Sequence, residues 1–372
     1  MESYEFLKIR SSDLIILVMG ITGAGKSSLI SQLLNEEVDI IGHNLTSYTS
    51  GVDFFMFEYA GGRRVFLMDT PGFDDTYRSN AEVLRDIAFI LAQVYRHRLS
   101  VAGIIYMHRI TDNRISGSSV KNLEVLRKLC GPDAFSRIVL TTSMWNSVSQ
   151  NLVSLQDAFN RENQLKTTAN FWGLLIRGGS RVMRWAGDKQ SAVGAISHLV
   201  DLHDRHGSIV LKIQRELVEN RIALDDTDSG RAVQDGFVQT LAKHQADLRD
   251  LSSQFRAAMQ DGNNQIALKI RELSNETKGQ LERIRSSQAT MKTDLDSLIR
   301  DKAQEYSKVL AQVQEDRRLM EESIRQHEED RKRLAEEEKN QSPTTRRSSK
   351  RTGIRETFIS RNTLSVFRNL NG

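Results

Sequence analysis

Apolar and polar positions divide the first 205 residues into short strands and amphipathic helices. The apolar pattern predicts strands at about 13–19, 52–59, 64–69, 101–107, 137–142 and 180–184. Spacings of three and four predict helices at about 25–35, 79–97, 117–130, 149–167 and 190–204. Strands that alternate with helices predict a mainly parallel sheet covered on both faces. Gly61 and Gly62 predict a hairpin turn, so we expect the strand at 52–59 to be antiparallel at one edge.

The pattern changes after residue 205 and predicts four segments along the chain. Residues 1–205 form the α/β domain, and residues 206–230 form a connecting helix, about 207–224, followed by a polar break. Residues 231–340 contain no proline and predict a long α-helical coiled-coil arm. Residues 341–372 are rich in Ser, Thr and Arg and predict a disordered tail.

A stripe of apolar residues supports the coiled-coil prediction. Its members are Ile266, Ile270, Leu273, Leu281, Ile284, Met291, Leu295, Leu298, Val309, Val313, Met320 and Ile324. Their 3.5-residue period is typical of a coiled coil, although Thr277, Gln288 and Lys302 lie on the stripe. We expect the stripe to pair with a second chain, or to fold back on itself or on the α/β domain.

Composition narrows the class of protein. Cys130 is the single cysteine of the 372 residues, which argues against a disulfide framework. The sequence has no apolar run of about 18 residues and starts without the pattern of a secretory signal, so we expect a cytoplasmic protein. The net charge of +4 comes from the tail, which contains seven basic residues and a single acidic residue, Glu356. We therefore expect no nucleic-acid partner, and at most weak contact of the tail with an anionic membrane surface.

The first candidate site is a glycine-rich loop between the first strand and the first helix. It follows the pattern Gly-x-x-x-x-Gly-Lys-Ser from Gly20 to Ser27, which is typical of a phosphate-binding P-loop. Its backbone N–H groups and the start of the helix suit phosphate oxygens. We expect contacts to a nucleotide from Gly20, Thr22, Gly23, Ala24, Gly25, Lys26, Ser27 and Ser28. Lys26 would reach the β- and γ-phosphates, and the Ser27 hydroxyl would bind Mg²⁺.

Two further segments complete the expected phosphate and metal site. Asp69-Thr70-Pro71-Gly72 follows a buried strand, so that Asp69 would hold Mg²⁺ and the Gly72 N–H would contact a γ-phosphate. Thr49, with Thr46 as second choice, lies in the polar loop before the second strand. We expect Thr49 to complete the metal shell and, with Lys26, to act in catalysis.

These motifs together resemble a family of nucleotide-binding proteins. Over residues 13–230 the chain resembles fungal G-domain (P-loop GTPase) proteins related to the IMAP-type, Toc-type and septin GTPases. The resemblance is carried by the segments 20–27, 42–49, 69–75, 141–146, 171–172, 179–181, 191–192 and 211–218. It implies GTP or GDP as ligand with Mg²⁺ as cofactor, nucleotide contacts by Asn146 and Gly179, and pairing of G domains in a homodimer. His43 and Arg64 are possible participants in that pairing.

Two positions depart from the pattern of such proteins. Asn146 stands where an aspartate usually accepts two hydrogen bonds from guanine, and an amide offers one acceptor and one donor. Phe73 follows Gly72, where many GTPases place a glutamine that orients the attacking water. We therefore expect slow intrinsic hydrolysis.

Three hypotheses about function follow. The first is a GTP-binding switch with slow Mg²⁺-dependent hydrolysis, which pairs G domains or recruits an unidentified protein partner through its helical arm. The second is a structural coiled-coil scaffold with a degenerate, weakly hydrolysing nucleotide-binding domain. The third and weakest is an ATPase or nucleotide kinase, which we keep because Asn146 does not exclude binding of adenine nucleotides.

Overall fold

A computed structural model gives the fold of most of the chain. The structure describes residues 9–10, 12–34, 52–73, 78–112, 117–150, 153–261 and 263–302, and isolated residues at 304, 318, 322, 325–326 and 333. The chain divides into two compact units, Met1–Ser307 and Lys308–Gly372. Within the second unit, Arg318 and Glu322 form an ion pair of 3.1 Å one helical turn apart. The fold and the candidate site described below lie in the first unit.

Six strands in the described part of the chain form one sheet. They are β1 (Leu14–Gly20), β2 (Asp53–Tyr59), β3 (Arg63–Asp69), β4 (Ser100–Arg109), β5 (Ile138–Ser143) and β6 (Arg181–Arg184). Their order across the sheet is β2-β3-β1-β4-β5-β6. All neighbouring pairs are parallel except β2 with β3. The predicted mainly parallel sheet with an antiparallel edge strand is confirmed.

The sheet is buried between two layers of helices. The helices are α1 (Lys26–Leu33), α2 (Asn80–Arg96), α3 (Gly117–Cys130), α4 (Trp145–Ser149), α5 (Leu155–Thr167), α6 (Leu174–Arg177), α7 (Lys189–His206), α8 (Lys212–Gln214), α9 (Asp228–Gln260) and α10 (Asn264–Met291). Side chains from α1 and α7 pack on one face of β1, and side chains from α2 and α3 pack on the other. No helix in the described ranges has the length and apolar character that a membrane span requires.

The predicted helix at 79–97 forms because its first turn satisfies its own N–H groups. Ser79 caps α2: its hydroxyl accepts a hydrogen bond from the Glu82 N–H, and its N–H donates to the Glu82 carboxylate. This reciprocal pairing removes two unpaired donors at the start of the helix. The α2 face that follows buries Val83, Leu84 and Ile87 completely.

The connection at 207–224 differs from the single helix that we predicted. Gly207 has φ of 75°, which ends α7, and the Ile209 N–H then donates to the Val101 carbonyl at 3.0 Å. A helix resumes only at α8, which continues as a π-helical turn over Arg215–Glu219. Leu211, which is fully buried, has an extended backbone immediately before α8.

The first part of the predicted arm is a helical hairpin. α9 has 33 residues, starts at the Thr227 cap, and is separated from the 28-residue α10 by three residues. α10 runs back along α9. This brings its end close to the start of α9, where the Leu224 N–H donates to the Thr293 carbonyl at 2.9 Å. Part of the stripe, including Ile270, therefore packs against α9 in the same chain.

The hairpin also packs on the α/β domain. Val233 and Phe237 of α9, and the stripe residues Met291 and Leu298, belong to the same core cluster as α2 and α3. Residues 295–302 are helical. The compact unit that ends at Ser307 thus runs across the predicted boundary at residue 230. Ile266 and Leu273, in contrast, are exposed by 51% and 46%.

A buried ion pair holds the end of the hairpin on α2. The Lys302 ammonium lies 2.6 Å from the Asp86 carboxylate, and both side chains are less than a tenth exposed. Arg78 binds the other oxygen of Asp86. Burial raises the pKa of Asp86, and the two cations act against this shift. The polar interruption of the stripe at Lys302 is therefore a specific contact with the α/β domain.

His108 is a second buried titratable group, at the end of β4. It is 3% exposed and makes edge-to-face contacts with Phe171 and Trp172 at centroid distances of 5.3 and 6.2 Å. Burial lowers the pKa of His108 to about 4, although Asp112 opposes the shift. The imidazole is therefore neutral in the folded protein at neutral pH.

Lys302→Ala is expected to destabilise the protein by about 2 kcal/mol or more, because it leaves the buried Asp86 carboxylate with one cation instead of two. Urea unfolding of the full chain measures the loss. The exposed Lys292, at the end of α10, supplies the matched control Lys292→Ala. Equal losses in the two variants would show that the buried pair contributes nothing specific.

Acidification is expected to destabilise the fold through His108. Its pKa is lower in the folded than in the unfolded state, so stability is lost as the pH falls from about 6.5 towards about 4. Over this range the loss is on the order of 3 kcal/mol. His108→Gln should flatten the fall of the melting temperature with pH, whereas His97→Gln, at an exposed position, should not. Parallel pH profiles for all three proteins would contradict this assignment.

Candidate functional site

The predicted P-loop connects β1 to α1 at the carboxyl edge of the sheet. Gly20 has φ of 146°, and a Cβ atom at this position would collide with the Met107 carbonyl oxygen. Gly23 and Gly25 also have positive φ, of 76° and 92°. Gly25 precedes the first residue of α1, so the N–H groups of the helix start face the same loop. The backbone here has the form of an anion cradle.

Lys26 is folded onto this loop. Its ammonium donates to the carbonyl oxygens of Gly20 at 3.2 Å and Ile21 at 3.1 Å, and the residue is 8% exposed. The charge therefore lies at the mouth of the cradle, close to where phosphate oxygens would be bound.

Ser27 and Asp69, two of the three predicted metal ligands, are in contact with each other. The Ser27 hydroxyl donates to Asp69 Oδ2 at 2.7 Å. This is possible because Asp69 ends β3 beside Val18 of β1 in the parallel register. Asp69 Oδ1 is buried and has no hydrogen-bond partner in the described part of the chain. Burial raises the pKa of Asp69, against the opposing effects of Ser27 and Lys26. A buried oxygen with an open acceptor position beside a serine hydroxyl fits the oxygen preference of Mg²⁺.

The segment after Asp69 is anchored to the P-loop and to the core. Thr70 donates from both its N–H and its hydroxyl to the Val18 carbonyl, at 3.3 and 2.9 Å. Gly72 lies so close to Thr22 that a Cβ atom would collide with the threonine backbone. Phe73 pairs with Ile21 and is 1% exposed. The side chain at position 73 therefore fills the core.

The segment after β5 reaches the same edge. The Ser143 hydroxyl donates to the Ala24 carbonyl of the P-loop at 2.7 Å. Met144 has a left-handed backbone (φ 64°), and α4 begins at the next residue, Trp145. Asn146 is exposed, and its side-chain oxygen accepts from the Ser147 N–H at 3.0 Å. The structure thus brings Asn146 to the edge that carries the P-loop.

Gly179 does not join these residues. It precedes β6 with φ of 98°, and a Cβ atom would lie 3.1 Å from Ser136, just before β5. Both positions are at the amino ends of their parallel strands, opposite the P-loop edge. The predicted Thr49, with Thr46 and His43, lies outside the described residues. Arg64 binds Asp13 through two nitrogens and lies 5.4 Å from the Phe66 ring centre.

Three side chains that the sequence did not single out approach the loop. Trp185 follows β6, and its ring would lie 3.1 Å from a Cβ atom on Gly25. Arg109 ends β4, pairs with Asp112 at 2.9 Å, and its guanidinium would lie 3.2 Å from a Cβ atom on Gly23. Ser143 ends β5. All three lie at or next to strand carboxyl ends, which is the positional signal that could have identified them.

A family model matches part of the α/β domain. Residues 15–126 match the family model described as 50S ribosome-binding GTPase. This range contains the P-loop and the Asp69–Gly72 segment. No curated protein sequence matches the chain significantly.

Three solved structures are similar to about half of the chain. Toc33 from Arabidopsis thaliana in complex with Mg²⁺ and GMPPNP is 16% identical over 53% of this chain and 87% of its own, with a TM-score of 0.37. Nucleolar GTP-binding protein 1 from Plasmodium falciparum is 14% identical over 53% and 91%, with a TM-score of 0.34. Era from Aquifex aeolicus, bound to GDP and AlF₄⁻, is 12% identical over 51% and 55%, with a TM-score of 0.29.

Proposed function

We propose that the α/β part of this chain is a G domain of the P-loop GTPase class, which binds guanine nucleotides with Mg²⁺ and hydrolyses GTP slowly. The observation that carries the proposal is the convergence of Lys26, Ser27 and Asp69 at one edge of the sheet. These are the three side chains through which a P-loop holds phosphates and their metal ion.

Lys26 and Ser27 would change partners when a nucleotide binds. Lys26 would give up the carbonyls of Gly20 and Ile21 for phosphate oxygens, which carry more negative charge. The Ser27 hydroxyl and the Asp69 carboxylate, now bonded to each other, would both turn to Mg²⁺. The metal ion supplies charge neutralisation at the phosphates when it is bound. We propose Thr49 as the third protein ligand.

Slow hydrolysis follows from the segment after Asp69. Phe73 is buried against Ile21, so position 73 offers no polar group to orient water. Water positioning and charge neutralisation carry most of the rate in this reaction. The chain would therefore hold GTP long enough to act as a switch.

We also propose that the nucleotide state controls pairing of two copies through the G domain. This proposal rests on the sequence resemblance given above. For chloroplast translocon components, dimerization is described as important for GTPase activity.

Lys26→Ala is expected to lower affinity for GTP and GDP by at least about 100-fold, because it removes the cation at the mouth of the cradle. Calorimetric titration of the full chain with GTP, GDP, ATP and XTP in Mg²⁺ measures binding, and light scattering of the same samples gives the oligomeric state. Lys243→Ala, at an exposed position of α9, is the control. If the Lys26 variant binds like wild type, the P-loop assignment is wrong.

Asn146→Asp is expected to raise affinity for GTP over ATP by about tenfold, because a carboxylate accepts from both donors of guanine where the amide accepts from one. The ratio of dissociation constants for the two nucleotides isolates the base from the triphosphate. Asn264→Asp, at an exposed position in the first turn of α10, should leave this ratio unchanged. An unchanged ratio in the Asn146 variant would show that this side chain does not read the base.

A further inference from the structure

A cluster of one arginine and two aromatic rings lies beside Asn146. The Arg184 guanidinium carbon is 4.2 Å from the centre of the Trp145 ring and 4.9 Å from that of Phe159. The two ring centres are 6.4 Å apart. Arg184 ends β6 and Trp145 begins α4, so the cluster joins two strand ends at the edge that carries the P-loop.

The arginine in this cluster is fixed by a buried carboxylate. Its Nε and Nη2 atoms donate to the two oxygens of Glu162 at 2.8 and 2.7 Å. Glu162 is 4% exposed and also accepts from Lys166 at 2.9 Å. A bidentate pair holds the guanidinium plane in one orientation, which a single hydrogen bond cannot do. Arg184 therefore presents a fixed face to Trp145.

The Trp145 ring is held at two points. Its indole N–H donates to the Thr142 hydroxyl at 3.0 Å, so the ring is held at its polar end by β5 and at its face by Arg184. The preceding Met144 has a left-handed backbone, which is unfavourable for a side chain with a Cβ and needs support from its surroundings. Asn146 follows directly and is exposed.

We propose that Arg184 is a positioning residue that sets the base selectivity of the nucleotide site by fixing Trp145 and, through it, Asn146. This inference rests on the proposed function, because it assumes that a nucleotide base lies at Asn146. The loss of Arg184 leaves the buried Glu162 carboxylate with one cation instead of two, so some loss of stability is expected as well. A change in the ratio of affinities for different bases is the effect that a purely structural role would not produce.

The test compares Arg184→Ala and Arg184→Lys with wild type, using GTP, ITP, XTP and ATP in Mg²⁺ as probes on the full chain. Ratios of dissociation constants cancel the shared triphosphate. We expect the preference among bases to shrink by about tenfold in Arg184→Ala. Arg184→Lys should recover part of it, because lysine keeps the charge but not the bidentate geometry. Arg181→Ala, at the other end of the same strand, is the matched control and should keep the wild-type ratios.

A double-mutant cycle with Trp145→Phe separates positioning from direct contact. If Arg184 acts through Trp145, the effects of Arg184→Ala and Trp145→Phe on the base ratio will not add. Additive effects, or an equal loss of affinity for all four nucleotides, would overturn the proposal. A wild-type protein that binds nucleotides without base preference would overturn it too but leave the P-loop assignment intact. A wild type that binds none of them would refute the proposed function itself.

Discussion

The edge of the sheet that carries the P-loop depends on the burial of β1 on both of its faces. All seven residues from Leu14 to Gly20 are buried, with alternate side chains in two separate core clusters. Each large apolar side chain contributes roughly 1.5–3 kcal/mol on burial, so the register of this strand is strongly determined. That register places Val18 beside Asp69 and Gly20 beside Met107. The Ser27–Asp69 contact follows from it without any further constraint.

Much of this edge could be predicted because its signals are local. The P-loop pattern and the strand that precedes it are contiguous in the sequence, and the acidic end of β3 is a short motif. Parallel strands bring their carboxyl ends to one edge of a sheet, so the order of elements along the chain is enough to place Asp69 near Ser27. Asn146 could be placed for the same reason. The antiparallel β2 followed from the glycine turn at residues 61–62.

The contacts that hold this edge in place could not be predicted, because they join residues that are far apart in the sequence. Arg184 meets Glu162 and Trp145 across 22 and 39 positions of sequence, and nothing in a short β-strand that ends in arginine indicates those partners. Gly179 is the reverse case. The family resemblance implied a nucleotide contact at this residue, but its place before a strand puts it at the opposite edge from the P-loop. Whether a residue lies at the amino or the carboxyl end of its strand is more informative here than the type of residue.

The helical arm shows what periodicity can and cannot determine. A period of 3.5 predicts a helix with an apolar stripe, but it does not identify the surface that covers the stripe. Here α9 covers part of it, and the α/β domain covers Met291 and Leu298. Lys302 occupies a stripe position at which Asp86 of α2 lies opposite. The apolar seam of a coiled coil would offer this charge no such partner. Cutting the chain at residue 230 would expose the faces of α2 and α3 that this hairpin buries. The smallest unit with a complete core therefore includes the helical residues up to Lys302, and the candidate site belongs to a fold that the hairpin helps to close.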